Sequence, residues 1–74
     1  MKLNLSADER RILREEQVTI EAEKDYSADE ALDLLQAVYA VEAMYSDLPQ
    51  NDKRAGKAKA FAQLADKLSA MIPE

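Results

Sequence analysis

SADEALDLLQAVYAVEAMYS, residues 27–46, decides the fold. Ser27 followed three residues later by Glu30 is a capping box. The hydroxyl accepts from an orphan amide of the first turn, and the carboxylate reaches back to the cap's own N–H. Asp29 and Glu30 sit where the helix dipole favours acids. A helix is therefore predicted over 28–46. At about 100° per residue, Ala31, Leu32, Leu34, Leu35, Val38, Tyr39, Val41 and Tyr45 cover more than half of its circumference. An apolar arc that wide needs neighbours on two sides, so this helix is central.

Downstream, Asp47-Leu48-Pro49-Gln50-Asn51-Asp52 ends it. Pro49 disfavours helical geometry at Leu48, and Asn51 or Asp52 can cap the next helix. That helix is expected over 52–72, with Pro73 as its stop. Its inward stripe is Ala58, Phe61, Ala62, Leu64, Ala65, Leu68, Met71 and Ile72. Two amphipathic helices joined by a short loop make an antiparallel hairpin. With the bend near 49–50 and equal rise along both helices, facing positions sum to about 99. Val38 then meets Phe61, Leu35 meets Leu64 or Ala65, and Ala31 meets Leu68. Gly56 is the only glycine. Inside a helix it costs about 1 kcal/mol relative to alanine, so it marks either fraying near the first turn or a tight contact.

Upstream, Ser6 and Glu9 form another capping box, which starts a short helix at Ala7. Its apolar content is thin: Leu5 just before it, then Ile12 and Leu13. In residues 17–22, Val18, Ile20 and Ala22 alternate with polar residues, and the β-branched run Val18, Thr19, Ile20 weakens a helix. No second strand is visible to pair with this piece. An irregular connector that plugs Val18 and Ile20 into the core is favoured over a helical continuation. The expectation is one all-α domain over 1–74: an antiparallel helical hairpin with a short N-terminal helix and an extended connector, three-helix bundle-like.

At 74 residues, such a domain buries only roughly 60% of the surface its unfolded chain exposes. A dimer, or docking onto a larger partner, would relieve the shortfall. The chain has no Cys and no His. Thiolate nucleophiles, disulfides, thiolate zinc sites and imidazole bases are excluded together. No catalytic residue, metal site or cofactor site is expected, and no small-molecule substrate is evident. The lack of Cys fits a reducing compartment. The start Met1-Lys2-Leu3-Asn4-Leu5-Ser6 lacks the apolar core of a signal peptide. No stretch approaches the roughly 18 apolar residues that span a bilayer. The expected location is the cytoplasm, with no membrane contact.

The net charge of −5 hides an asymmetry. Residues 15–47 hold ten acids and one base, Lys24; residues 53–67 hold five bases and one acid, Asp66. The simplest expectation is that the two segments pack side by side and neutralise each other.

Glu42 falls in the middle of the apolar arc, between Val38 and Tyr45. A buried, unpaired carboxylate is expensive, so it needs a partner or a proton. The register places it opposite Lys57, with Arg54 one turn away, and a structural ion pair that fixes register is the expected outcome. Asp25, Asp29, Glu30 and Asp33 cluster at one helix start. A calcium loop would need alternating oxygen ligands and a turn glycine, which are missing, so a solvated acidic face is expected. The run Lys53, Arg54, Lys57, Lys59 is the one hint of nucleic-acid binding. It lacks a helix-turn-helix layout and exposed aromatics for single strands, so nucleic acid is a disfavoured partner.

Tyr39 lies at the edge of the apolar arc. Tyr39, Leu32 and Ala43 would form a partner-facing strip if the third helix leaves them uncovered. Met44, on the otherwise polar side, is a second candidate, since Tyr and Met are favoured in interfaces. The function expected from these features is a non-enzymatic protein-interaction or assembly module, with a protein partner or a second copy. The alternative is a nucleic-acid accessory protein using 53–59.

Leu3-Asn4-Leu5-Ser6, then Asp25-Tyr26-Ser27-Ala28-Asp29-Glu30, then a helix pair ending in Ala65-Asp66-Lys67-Leu68 resembles small uncharacterised bacterial helical proteins over most of the chain. The resemblance implies a bacterial cytoplasmic setting and brings no activity with it.

Overall fold

A computed structural model describes residues 1–72. Pro73, the expected helix stop, lies outside the described residues. Three α-helices follow one another: α1 (Ala7–Glu15), α2 (Ala28–Ser46) and α3 (Lys57–Met71), the last preceded by a 3-10 turn, Lys53–Gly56. Both capping boxes form. The Ser6 hydroxyl accepts from the Glu9 N–H at 3.1 Å, and the Glu9 carboxylate accepts from the Ser6 N–H at 2.9 Å. Ser27 and Glu30 repeat the arrangement at 3.1 and 3.2 Å. Each box satisfies two amides that the first helical turn leaves without partners.

The connector is irregular from Glu16 to Ser27, and Val18 and Ile20 are buried as plugs. The end of α1 explains its abrupt turn. The Val18 N–H donates to the Leu13 carbonyl and the Gln17 N–H to the Arg14 carbonyl, both at 2.9 Å. This is a Schellman closure, and it puts Gln17 in the left-handed region at φ 65°. Leu13 and Val18, both buried, supply its usual apolar contact. The segment before α1 is fixed against the connector. The Met1 ammonium donates to the Tyr26 carbonyl at 2.7 Å, and the Tyr26 N–H donates to the Met1 carbonyl at 2.6 Å. Leu3 is thereby held fully buried.

The core joins Leu3, Leu13, Val18 and Tyr26 to Ala31, Leu35 and Val38 of α2 and to Phe61, Leu64, Ala65 and Leu68 of α3. No charged residue is buried among the described residues. Of the expected α3 stripe, Ala58, Ala62, Met71 and Ile72 are half-buried at its margins. The bend differs from the expectation. The α-helix begins at Lys57, not 52, because the Asp52 carboxylate caps a 3-10 turn by accepting from the Arg54 N–H at 2.9 Å. The ends that meet are therefore Ser46 and Lys57, so facing positions sum to about 103. Phe61 stacks on Tyr45, about two turns nearer the bend than the expected Val38, with ring centroids 5.7 Å apart and planes 7° from parallel. Gly56 makes no tight contact: a methyl group in place of its hydrogen would meet nothing within 4 Å.

Candidate functional site: the outward face of α2

The shifted register overturns the expected ion pair. Glu42 is half-buried and has no ion-pair partner among the described residues. Lys57 lies beside the end of α2, its Nζ 5.5 Å from the Tyr45 ring centroid, a cation–π contact. Arg54 turns back on Asp52, with Nη2 3.0 Å and Nε 3.2 Å from its two carboxylate oxygens. That pairing holds the Asp52 carboxyl below its usual range.

The expected neutralisation between segments also fails in detail. No ion pair among the described residues joins an acid of α2 to a base of α3 or of the 3-10 turn. Lys67 of α3 instead pairs with Glu9 of α1 at 2.7 Å, and that hydrogen bond lowers the Glu9 carboxyl below its ordinary value. Lys24 takes Glu30 at 3.0 Å while lying 4.8 Å over the Tyr26 ring. Asp25 pairs with the Met1 ammonium. Asp29, Asp33 and Asp47 remain exposed without a cation partner among the described residues. The basic run is likewise divided. Arg54 and Lys57 are engaged internally, and Lys53 and Lys59 are left as exposed single charges.

Among the described residues, three large apolar side chains are exposed: Leu32 at 43%, Tyr39 at 44% and Met44 at 51%. All three stand on α2. The helical repeat puts Leu32, Tyr39 and exposed Ala43 on one narrow line, with Gln36 and Ala40 next to it and Met44 about 100° round from Ala43. Between Asp33 and Asp47 the outward arc carries no charge, since Glu42 lies toward the core side. Tyr39 was expected at the edge of the arc, in a strip left exposed only if α3 did not cover it. In the structure α3 and the connector cover the opposite flank, and its ring stays in solvent.

The concave surfaces lie elsewhere. Ile12 and Ala60 sit at the junction of two shallow grooves between α1 and α3, of about 290 and 160 Å³. A wider one, about 420 Å³, runs past Tyr26 and Asp33, and the Lys24–Glu30 pair lines it. No group of acids among the described residues is placed to hold a metal ion. No helix among them is long and apolar enough to cross a membrane.

The fold and this surface define a small three-helix protein in which α2 leaves apolar side chains uncovered. Comparison with protein families, curated proteins and solved structures gives no match.

Proposed function

We propose that the protein is a non-enzymatic assembly module that docks a protein partner on the outward face of α2. One observation carries this reading: Leu32, Tyr39 and Met44 all stand in solvent on the same helix. Scattered surface hydrophobics are ordinary, but Leu32 and Tyr39 share one line of α2 with exposed Ala43, and Met44 extends the exposed apolar surface across the outward side. Covering them would return about 25 cal/mol for each Å² of apolar surface removed from water. Tyrosine and methionine are the side chains that interfaces favour. The setting that goes with the reading is the cytoplasm, which a cysteine-free chain suits. The alternative, nucleic-acid binding through Lys53, Arg54, Lys57 and Lys59, has weaker support. Two of the four charges are already engaged within the chain.

The test is site-specific photo-crosslinking in the producing cell. A photoreactive residue replaces Leu32, Tyr39 or Met44 on α2, or Gln63 or Ala70 on the outer side of α3. The expected result is one discrete adduct, of the same mass, from the α2 positions alone. Equal labelling from both helices, or no α2 adduct, removes the reading.

A further inference from the structure

The charge around the apolar strip narrows the partner, if the docking face is real. We infer that the occupant is a basic amphipathic helix of another protein, with Lys or Arg near both of its ends, and not a second copy of this chain.

α2 contains Asp29, Glu30, Asp33 and Glu42 and not one Lys or Arg. Asp29 and Asp33 stand at one end of the strip and Asp47 at the other, all exposed and without cation partners among the described residues. From Asp33 to Asp47 is about 21 Å along the axis at 1.5 Å per residue. Between them the outward arc is Gln36, Tyr39, Ala40, Ala43 and Met44. The alanines keep this stretch low, so a helix can approach closely, while Tyr39 and Met44 give it large apolar contacts. A partner helix of four turns or more would lay its apolar stripe here and bring a base to each bracket. Complementary charge of this kind steers encounter and sets the register.

Self-association meets the opposite condition. Two α2 faces packed antiparallel set Asp29 and Asp33 of one copy near Asp47 of the other. Packed parallel, each acid meets its own counterpart. Both arrangements juxtapose like charges, which interfaces avoid. The Lys53–Lys59 region of a second copy offers the α2 face little in exchange, since Arg54 and Lys57 are already engaged within their own chain.

The test uses the intact protein and three synthetic 18-residue helical peptides. The first has a Leu/Ala stripe with two Lys at each end. The second replaces every Lys with Glu. The third keeps the Lys composition but scrambles the stripe. Binding is read by fluorescence anisotropy, and mass by sedimentation equilibrium. The first peptide should bind at least ten-fold more tightly than either of the others, and more weakly as NaCl rises from 50 to 500 mM. Tyr39→Ser, and separately Asp33→Asn with Asp47→Asn, should each lower that affinity several-fold with unchanged helix content. The protein alone should sediment as a monomer. Equal affinity for the Lys and Glu peptides, or no binding of the Lys peptide, overturns the inference. So does a dimer abolished by Tyr39→Ser. Adducts confined to α2 in the crosslinking experiment, together with no charge preference here, would leave the docking face standing and remove only the partner class.

Discussion

The ring of Tyr45 lies parallel to that of Phe61, centroids 5.7 Å apart, and clamps α2 to α3 beside the bend. Phe61 is 1% exposed, so its truncation leaves a cavity that neighbours on both helices must border. Phe61→Ala should cost about 3–5 kcal/mol. A domain of this size has roughly 4–11 kcal/mol in total, so that variant can fail to fold. Phe61→Leu gives the graded measurement. Urea denaturation should show it destabilised by about 1 kcal/mol, and an unchanged midpoint would mean that the stack contributes nothing.

Two substitutions should stabilise. Gln17 holds a left-handed backbone, φ 65°, that costs an L-residue about 1–2 kcal/mol. Gln17→Gly removes that strain, partly offset by glycine's greater chain entropy, for a net gain of about 0.5–1 kcal/mol. Gly56 presents the reverse case. Its φ is −63° and a Cβ would meet open space, so Gly56→Ala should gain about 0.5–1 kcal/mol. Combined, the pair should raise Tm by roughly 4–8 °C per kcal/mol gained. A lower Tm for the glycine variant at 17 would show that the Schellman turn is not formed.

Acid should weaken the protein through Glu9. Its hydrogen bond to Lys67 depresses the folded carboxyl, and the Ser6 N–H adds to the effect. The folded state therefore binds the proton less well than the unfolded chain. The pair's contribution is present above the ordinary glutamate value of about 4.3 and is lost as pH falls through the depressed value. Glu9→Gln keeps the capping acceptor but removes the charge. Its stability should fall less steeply than wild type's between pH 5 and 2. Parallel curves would show that the pair adds nothing.

Tyr45 should titrate late. Its hydroxyl donates to the Glu16 carboxylate, and that bond raises the phenol above its ordinary value. In a Tyr26→Phe/Tyr39→Phe background, the tyrosinate absorbance band reports Tyr45 alone. Its midpoint should lie above about 10 and drop when Glu16 becomes Gln. No drop would break the assignment.

How far the chain could be read in advance followed the range of each interaction. The ends of α1 and α2 were legible because Ser6–Glu9 and Ser27–Glu30 are complete within four residues. The helical repeat put Met44 on the polar side, whereas Leu32 fell within the apolar arc and its exposure depended on how α3 docks. The Glu42–Lys57 pair was not recoverable, because it depended on where α3 begins. The 3-10 turn capped by Asp52 moved that point by several residues, and Lys57 went to Tyr45. Leu3 and Tyr26 escaped notice as core residues for another reason. They lie in segments with no helical period, and only the reciprocal Met1–Tyr26 hydrogen bonds bring them inward.

The hairpin link of about ten residues has a consequence in time. Closing so short a loop is entropically mild, so α2 and α3 can meet before the first 27 residues have found their places. Nucleation there would make Leu64→Ala slow refolding in stopped-flow traces, while Leu3→Ala would mainly hasten unfolding. The reverse pattern would mean that the leading segment, and not the hairpin, gates the transition.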